Sequence, residues 1–235
     1  MIHIENLHKK FGRNPVLEGV ELSIAGSGIH AILGPNGSGK TTLIKSILGM
    51  VCPDRGSIHL DGTPIRGEWA YRNRMGYLPQ IAEFPSNLAV AELFRMIADL
   101  RQQEGQAWPL IERFGLQPFM DKKLGTLSGG TRQKVNLVLT FMFDAPLYIL
   151  DEPTSGLDPR AMIALKTLIR ERKSSGALFL ITTHIMPLVE ELADNVIYLL
   201  EGRVYFEGSL EQLYHHTGEN HVEPAIAAIA EQTHV

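Results

Sequence analysis

The sequence predicts an α/β fold, a core of buried strands alternating with helices into which a helical lobe is inserted. Three observations predict it. Ile29–Leu33 is a short apolar run that stops at a glycine-rich loop, and Leu147–Leu150 and Ala177–Thr182 are further runs of the same kind. Helical spacing follows the first of these runs and returns between the other two. From about Pro85 to Phe143 the apolar residues recur only at helical spacing, which sets this stretch apart as a lobe.

The opening third alternates short strand-like pieces with turns. Ile2 and Ile4 alternate with polar residues, as do Leu22 and Ile24, then Ile58 and Leu60 ahead of the turn Asp61–Gly62. After the glycine-rich loop, Thr41–Gly49 reads as a helix with Leu43, Ile44, Ile47 and Leu48 on one face and Gly49 near its stop. Within the lobe, Leu88–Leu100 forms one helix and Trp108–Phe114 a second closed by Gly115. Val135–Leu150, the most apolar window, is broken by Asn136, Asp144 and Pro146 and reads as a buried helix followed by a buried strand. Pro159–Lys173 is a helix, and Val196–Leu200 with Arg203–Phe206 form a hairpin around Glu201–Gly202.

A chain of 235 residues can bury a large core, as one big domain or two small ones. With 44% hydrophobic and 20% charged residues, it has an ordinary globular composition. The formal charge of -4 gives no basic footprint for nucleic acid. Cys52 is the only cysteine, so no internal disulfide forms, which suits a reducing cytosol. The start MIHIENLHKKFG lacks the apolar run of a secretory signal, and no stretch reaches the ~20 apolar residues that span a bilayer. The expectation is a cytoplasmic protein.

Gly34-Pro35-Asn36-Gly37-Ser38-Gly39-Lys40-Thr41 fits G-x-x-x-x-G-K-[ST], placed after a buried strand and before a helix. Glycines let the backbone wrap tightly, so that N–H groups and the helix N-terminus point at phosphates. Lys40 neutralises the outer phosphates of a nucleotide, and the Thr41 hydroxyl binds Mg²⁺. Leu147–Leu150 ends in Asp151 and Glu152. A carboxylate at a strand's carboxyl end suits Mg²⁺ through its water shell, the role expected of Asp151, while Glu152 is suited to orienting or deprotonating water. Alone, the pair could equally be a turn or helix cap. In Leu127–Gln133, LSGGTRQ, Ser128 opens a helix, and its hydroxyl with the Gly129 and Gly130 amides makes an anion-binding end; the same serine can also be a plain N-cap.

Together these runs resemble the ATP-binding cassette (ABC) ATPases over nearly the whole chain. That resemblance implies a P-loop NTPase core with an N-terminal antiparallel β-subdomain and an inserted helical subdomain at about 81–143. The whole of 1–235 would form one nucleotide-binding domain, with 209–235 a short C-terminal tail. It implies ATP and Mg²⁺ as cofactors, held through the loop from Gly34 to Thr42. Phe11 would stack on adenine, Gln80 sense Mg²⁺ alongside Thr41 and Asp151, and His184 hold the γ-phosphate. Glu152 and His184 are then the catalytic residues. Ser128, Gly129 and Gly130 would cap the ATP of a facing copy, and Asp158 in Ser155–Asp158 would communicate between the paired sites. The implied partners are a second copy of the chain when ATP is bound and integral-membrane transporter subunits contacting 81–92.

One departure is Thr131, where the family usually has glutamine. The wording LSGGTRQK, ILGMV and TTHIM is more finely similar to ATPase subunits of copper-processing transporters that serve nitrous oxide reductase maturation. Ile81–Val90, with Phe84, Pro85 and Leu88, is poorly suited to a closed core and borders, by the resemblance, the groove for a membrane subunit; for Leu88, packing within the lobe is an equal alternative. His215, His216, His221 and His234 have no compact ligand spacing, so a solvated, partly helical tail without a metal is expected. A soluble ABC switch on a ribosomal or nucleic-acid partner is the alternative function. Such proteins usually resemble two cassettes in one chain or carry a long coiled-coil insertion, and this sequence shows neither.

Overall fold

Alternation of apolar and polar residues makes β1 (Ile2–Phe11) and β2 (Asn14–Ile24) an antiparallel hairpin with Ile2, Ile4 and Leu7 buried from one strand and Leu17, Val20, Leu22 and Ile24 from the other. Asn6, at φ 44, shifts the register between Ile4 and Leu7 so that the inward face is kept across a bulge. The computed structural model describes residues 2–233. Its contacts group them into two units, 1–72 with 178–235, and 73–177. In the first unit follow β3 (Gly28–Leu33), buried throughout, then α1 (Lys40–Ile47), β4 (Arg55–Leu60) and the short β5 (Thr63–Pro64). The order β2-β1-β4-β5 makes an antiparallel four-stranded sheet.

The second unit holds β6 (Met75–Leu78), α2 (Val90–Arg101), α3 (Ala107–Phe114), α4 (Gly129–Phe141), β7 (Leu147–Asp151) and α5 (Pro159–Ser174). Expected as Leu88–Leu100, α2 starts at Val90, where the Glu92 carboxylate accepts the Ala89 N–H at 2.8 Å. Gly115, at φ 66, closes α3 as expected. Sequence periodicity did not reveal β6. It is four residues long and pairs in parallel with β7, Met75 opposite Leu147 and Leu78 opposite Leu150. A Cβ on Gly76 would run into the Tyr148 ring, so only glycine allows this approach. Tyr148 is fully buried and stacks on Phe141 of α4 with centroids 4.8 Å apart.

The chain then returns to the first unit with β8 (Leu178–Thr182), α6 (Met186–Leu192), β9 (Asn195–Leu200), β10 (Arg203–Ser209), α7 (Leu210–Thr217) and α8 (Val222–Thr233). There β3 runs parallel to β8 on one side and to β9 on the other, and β10 is antiparallel to β9. The predicted hairpin turn is real, with Glu201 at φ 47 and Gly202 at φ 76. The end of the chain differs from the solvated tail expected of it. Leu213, Val222, Ala225 and Ile229 are buried in one cluster with Leu33, Val189, Val196, Tyr198 and Leu200. Leu213 with Tyr214, and Val222 with Ala225, Ile226 and Ile229, are two apolar stripes at helical spacing; the polar run between them hid that pattern.

Candidate functional site

The glycine-rich loop leaves β3 at Gly34, whose φ of 151 no side chain adopts easily, and a Cβ there would collide with the Leu199 carbonyl oxygen. Gly39 closes the loop at φ 106; a Cβ on it would lie 2.7 Å from the Val16 carbonyl oxygen and 2.9 Å from Leu17 Cδ2. Between them Pro35, Asn36 and Gly37 are exposed and Ser38 is buried. The Gly202 N–H donates to the Ser38 carbonyl oxygen at 3.0 Å, and the Glu18 N–H donates to the Gly202 carbonyl oxygen at 2.9 Å. The turn between β9 and β10 therefore pins the loop to β2. Sequence reading missed this use of Gly202, since nothing local marks it.

Lys40 Nζ donates to the Gly34 and Pro35 carbonyl oxygens at 2.7 and 2.9 Å, which places its ammonium across the loop. No acidic residue occupies the first turn of α1, so the partial positive charge of its N-terminus is undiminished. The Ser38 hydroxyl oxygen is buried without a protein partner. A buried orphan donor among inward-curving amides, beside a lysine, is a cradle suited to an acceptor-rich anion such as phosphate. Thr41 is exposed and Thr42 half-buried at the start of α1.

Two other expected residues belong to the same unit. Phe11 is 52% exposed at the end of β1, which removes the reading of it as core, and Lys9 Nζ lies 5.4 Å from its ring centroid. His184 is exposed just beyond β8, where the Thr183 hydroxyl oxygen accepts the Ile185 N–H at 3.1 Å.

The second unit carries the carboxylates and the serine-glycine run. Asp151 ends β7 and is buried, as is Glu152, whose backbone is held at φ 49. A left-handed non-glycine residue is the kind of local strain found at functional positions. Burial holds the Tyr77 phenol above its ordinary value, and the charge of Asp151 adds to the effect. Gln80 is exposed; beside it the Pro79 carbonyl oxygen accepts from Asn136 Nδ2 at 3.3 Å.

Ser128 caps α4, its hydroxyl oxygen accepting the Thr131 N–H at 3.3 Å. The Thr131 hydroxyl lies 2.9 Å from that of Ser128. Both Ser128 and Gly129 are exposed, and Gly130 is pressed on the Gly156 carbonyl oxygen, which a Cβ on Gly130 would approach to 2.6 Å. Gln133 Nε2 donates to the Pro153 carbonyl oxygen at 3.3 Å. Asp158 caps α5 through the Ala161 N–H. The start of α4, with Gly130 and Gln133, is thus held against residues 153–156 that follow Glu152. In the first unit, His215 and His216 are exposed on α7, and His221, just before α8, has its Nδ1 3.3 Å from Glu190 Oε1. His234 lies outside the described residues.

Known proteins share this fold. The profile of the ABC transporter family matches residues 17–155. A Nod factor export ATP-binding protein I of Burkholderia lata is 35% identical over 214 residues, which cover 88% of this chain and 70% of that protein. A daunorubicin resistance ATP-binding protein of Streptomyces coeruleorubidus is 33% identical, covering 94% of this chain and 72% of its own. A solved structure of an ATP-binding subunit of an ABC transporter superposes with a TM-score of 0.92 at 30% identity, over 98% of this chain and 99% of that one. The fold is therefore that of the P-loop ATP-binding cassettes, and the chain belongs to the ABC transporter family as an ATP-binding, ATP-hydrolysing subunit.

Proposed function

We propose that this chain powers export through separate membrane subunits, working as a homodimer in which each copy caps the ATP of the other. The observation that carries the reading is the exposed Ser128–Gly129 end of α4, tied through Gly130 and Gln133 to residues 153–156 beside Glu152. An open anion-binding end fixed to a chain's own hydrolytic segment is what a facing-copy site requires. Among the described residues no helix is long and apolar enough to cross a membrane, so a membrane step is assigned to another chain. The cytoplasmic face is the proposed location, because that is where ATP is supplied.

Each residue has a role suited to its chemistry. The N–H groups from Gly34 to Thr42, those of Asn36 and Gly37 among them but not Pro35, which has none, cradle phosphate, with the Ser38 hydroxyl as an added donor and Lys40 as the counter-charge. Phe11 offers an exposed ring for adenine. Thr41, Gln80 and Asp151 supply hydroxyl, amide and carboxylate oxygens, a hard donor set that fits Mg²⁺. When bound, Mg²⁺ neutralises phosphate charge. Glu152 orients and deprotonates the attacking water, and His184 donates to the γ-phosphate. Asp158 holds the segment that senses the facing copy.

The export direction is supported by the relatives, named for Nod factor export and daunorubicin resistance. Copper processing for nitrous oxide reductase maturation is the finer reading, supported by the wording LSGGTRQK, ILGMV and TTHIM. Region 81–92 is the proposed membrane-subunit contact. Ile81 is 74% exposed there, and residues 80–86 form one side of an open groove whose other side is Gly129 and Gly130 of α4 with Ser155 and Gly156.

Purification of the tagged chain from solubilised native membranes tests the proposal. A polytopic membrane protein that stays bound supports it; recovery only with ribosomes or nucleic-acid enzymes overturns it. For the finer reading, deletion of the gene should lower the copper content of nitrous oxide reductase, and unchanged copper content would rule that reading out.

A further inference from the structure

We propose that Thr131 is a positioning residue for Ser128, setting the direction of the Ser128 hydroxyl proton so that it is delivered to the terminal phosphate of the nucleotide on the facing copy. The inference rests on the reading of Ser128 as a phosphate cap and adds to it a residue that sequence comparison marks only as a departure from glutamine.

The argument is one of donors and acceptors. A serine hydroxyl has one proton to give and two lone pairs to fill. The Thr131 N–H fills one lone pair of Ser128 at 3.3 Å. The two hydroxyl oxygens are 2.9 Å apart, so one donates to the other. If Ser128 donates to Thr131, its proton is spent inside the helix cap and none is left for an anion. If Thr131 donates to Ser128, both lone pairs are filled and the Ser128 proton points outward. A terminal phosphate oxygen accepts hydrogen bonds, so its approach selects the second arrangement. Accepting two hydrogen bonds also polarises the Ser128 O–H and makes it a better donor.

The surroundings leave room for this. Ser128 is exposed while Thr131 is half-buried behind it, so the open side of the pair is the serine. The first turn of α4 has no acidic residue to compete as an acceptor. Glutamine at this position carries no hydroxyl on its β-carbon and could not make the same short relay. The threonine is thus a different way of holding the cap, with the proton order set inside the turn.

ATP hydrolysis by the full chain, measured at subsaturating ATP, tests the relay with four variants. Thr131→Val keeps shape and backbone N–H but removes the hydroxyl; turnover should fall about three- to tenfold, the worth of one hydrogen bond. Thr131→Ser should restore it to near wild type. Ser128→Ala should fall at least as far, and Thr131→Val should cost nothing further in that background. ATP affinity of the diluted monomer should be unchanged by Thr131→Val, because the cap acts on the facing copy. Wild-type turnover in Thr131→Val with a loss in Ser128→Ala overturns the relay and leaves the cap reading standing. Wild-type turnover in Ser128→Ala overturns the cap reading and the relay together. Equal losses from Thr131→Val in both backgrounds place Thr131's effect elsewhere and also overturn the relay.

Discussion

Lys134 Nζ lies 2.5 Å from Asp158 Oδ2, while the other oxygen of the same carboxylate accepts the Ala161 N–H at 2.9 Å. One side chain thus caps α5 and binds a lysine in the second turn of α4. With Gly130 against Gly156 and Gln133 bonded to Pro153, the link joins the front of α4 to residues 153–158 at three points. The helix that Ser128 opens is thus in direct contact with the segment following Glu152.

The Lys134–Asp158 pair predicts a specific acid response. The Lys134 ammonium first, and the Ala161 N–H after it, hold the Asp158 carboxyl below its ordinary range. A depressed folded value stabilises the protein above the ordinary carboxylate pKa, and this contribution disappears as pH falls through the depressed value. Lys134→Met should move the Asp158 titration back up towards the ordinary range and remove part of this acid-side pH dependence. At neutral pH the variant should fold normally, because exposed pairs are weak. Carboxyl chemical shifts followed by NMR would show it; an unmoved Asp158 titration would mean that the helix cap alone sets its acidity.

The phosphate loop predicts that its glycines are unequal. Gly37, at φ 82, has open space where a Cβ would go, whereas Gly39, at φ 106, has the Val16 carbonyl oxygen and Leu17 in the way. Gly37→Ala should carry only the backbone cost, about 1 kcal/mol. Gly39→Ala adds a collision and should lose about 2–4 kcal/mol. Urea unfolding of the two variants compares them directly, and equal losses would show that β2 yields to the added methyl.

Glu152 predicts a separation of binding from chemistry. Glu152→Gln keeps size and shape at a buried position with φ 49 and removes only the charge. Turnover should fall about 10²–10⁴-fold, the usual worth of a general base, while ATP affinity stays within about a factor of two to three. Parallel loss of affinity and turnover would falsify the role of Glu152 as a base and make it a structural residue.

What could be read beforehand follows the range of the forces. The loop from Gly34 to Thr41 was legible because its glycines, lysine and threonine stand at a fixed local spacing, although the close approaches of Leu199 to Gly34 and of Val16 to Gly39 come from far along the chain. That Asp151 and Glu152 stand at the end of a buried strand was legible, because an apolar run ending in two acids is conspicuous. The clamp of Gly202 on Ser38 was not, since it joins residues far apart in the chain and uses only backbone atoms. Strand β6 escaped because its role depends on the Tyr148 ring lying over Gly76. Thr131 could be noticed as an exception, but its hydroxyl contact with Ser128 needed the helix cap to be built first.

The last two helices yield the remaining prediction. A loose tail could be altered without consequence, but Leu213 is 0% exposed and packs with Val196, Tyr198 and Leu200 of β9. Leu213→Ala should therefore cost about 2–5 kcal/mol, the range for a leucine removed from a core that closes only partly around the cavity. His215→Ala, on the exposed face of the same helix, should stay within about 0.5 kcal/mol. The comparison matters because both changes fall in one helix and alter its intrinsic propensity in the same direction. A large difference in urea midpoint at constant slope assigns the cost to core packing. Similar small shifts for the two would mean that α7 frays before the core opens, and that β9 is held by its sheet neighbours alone.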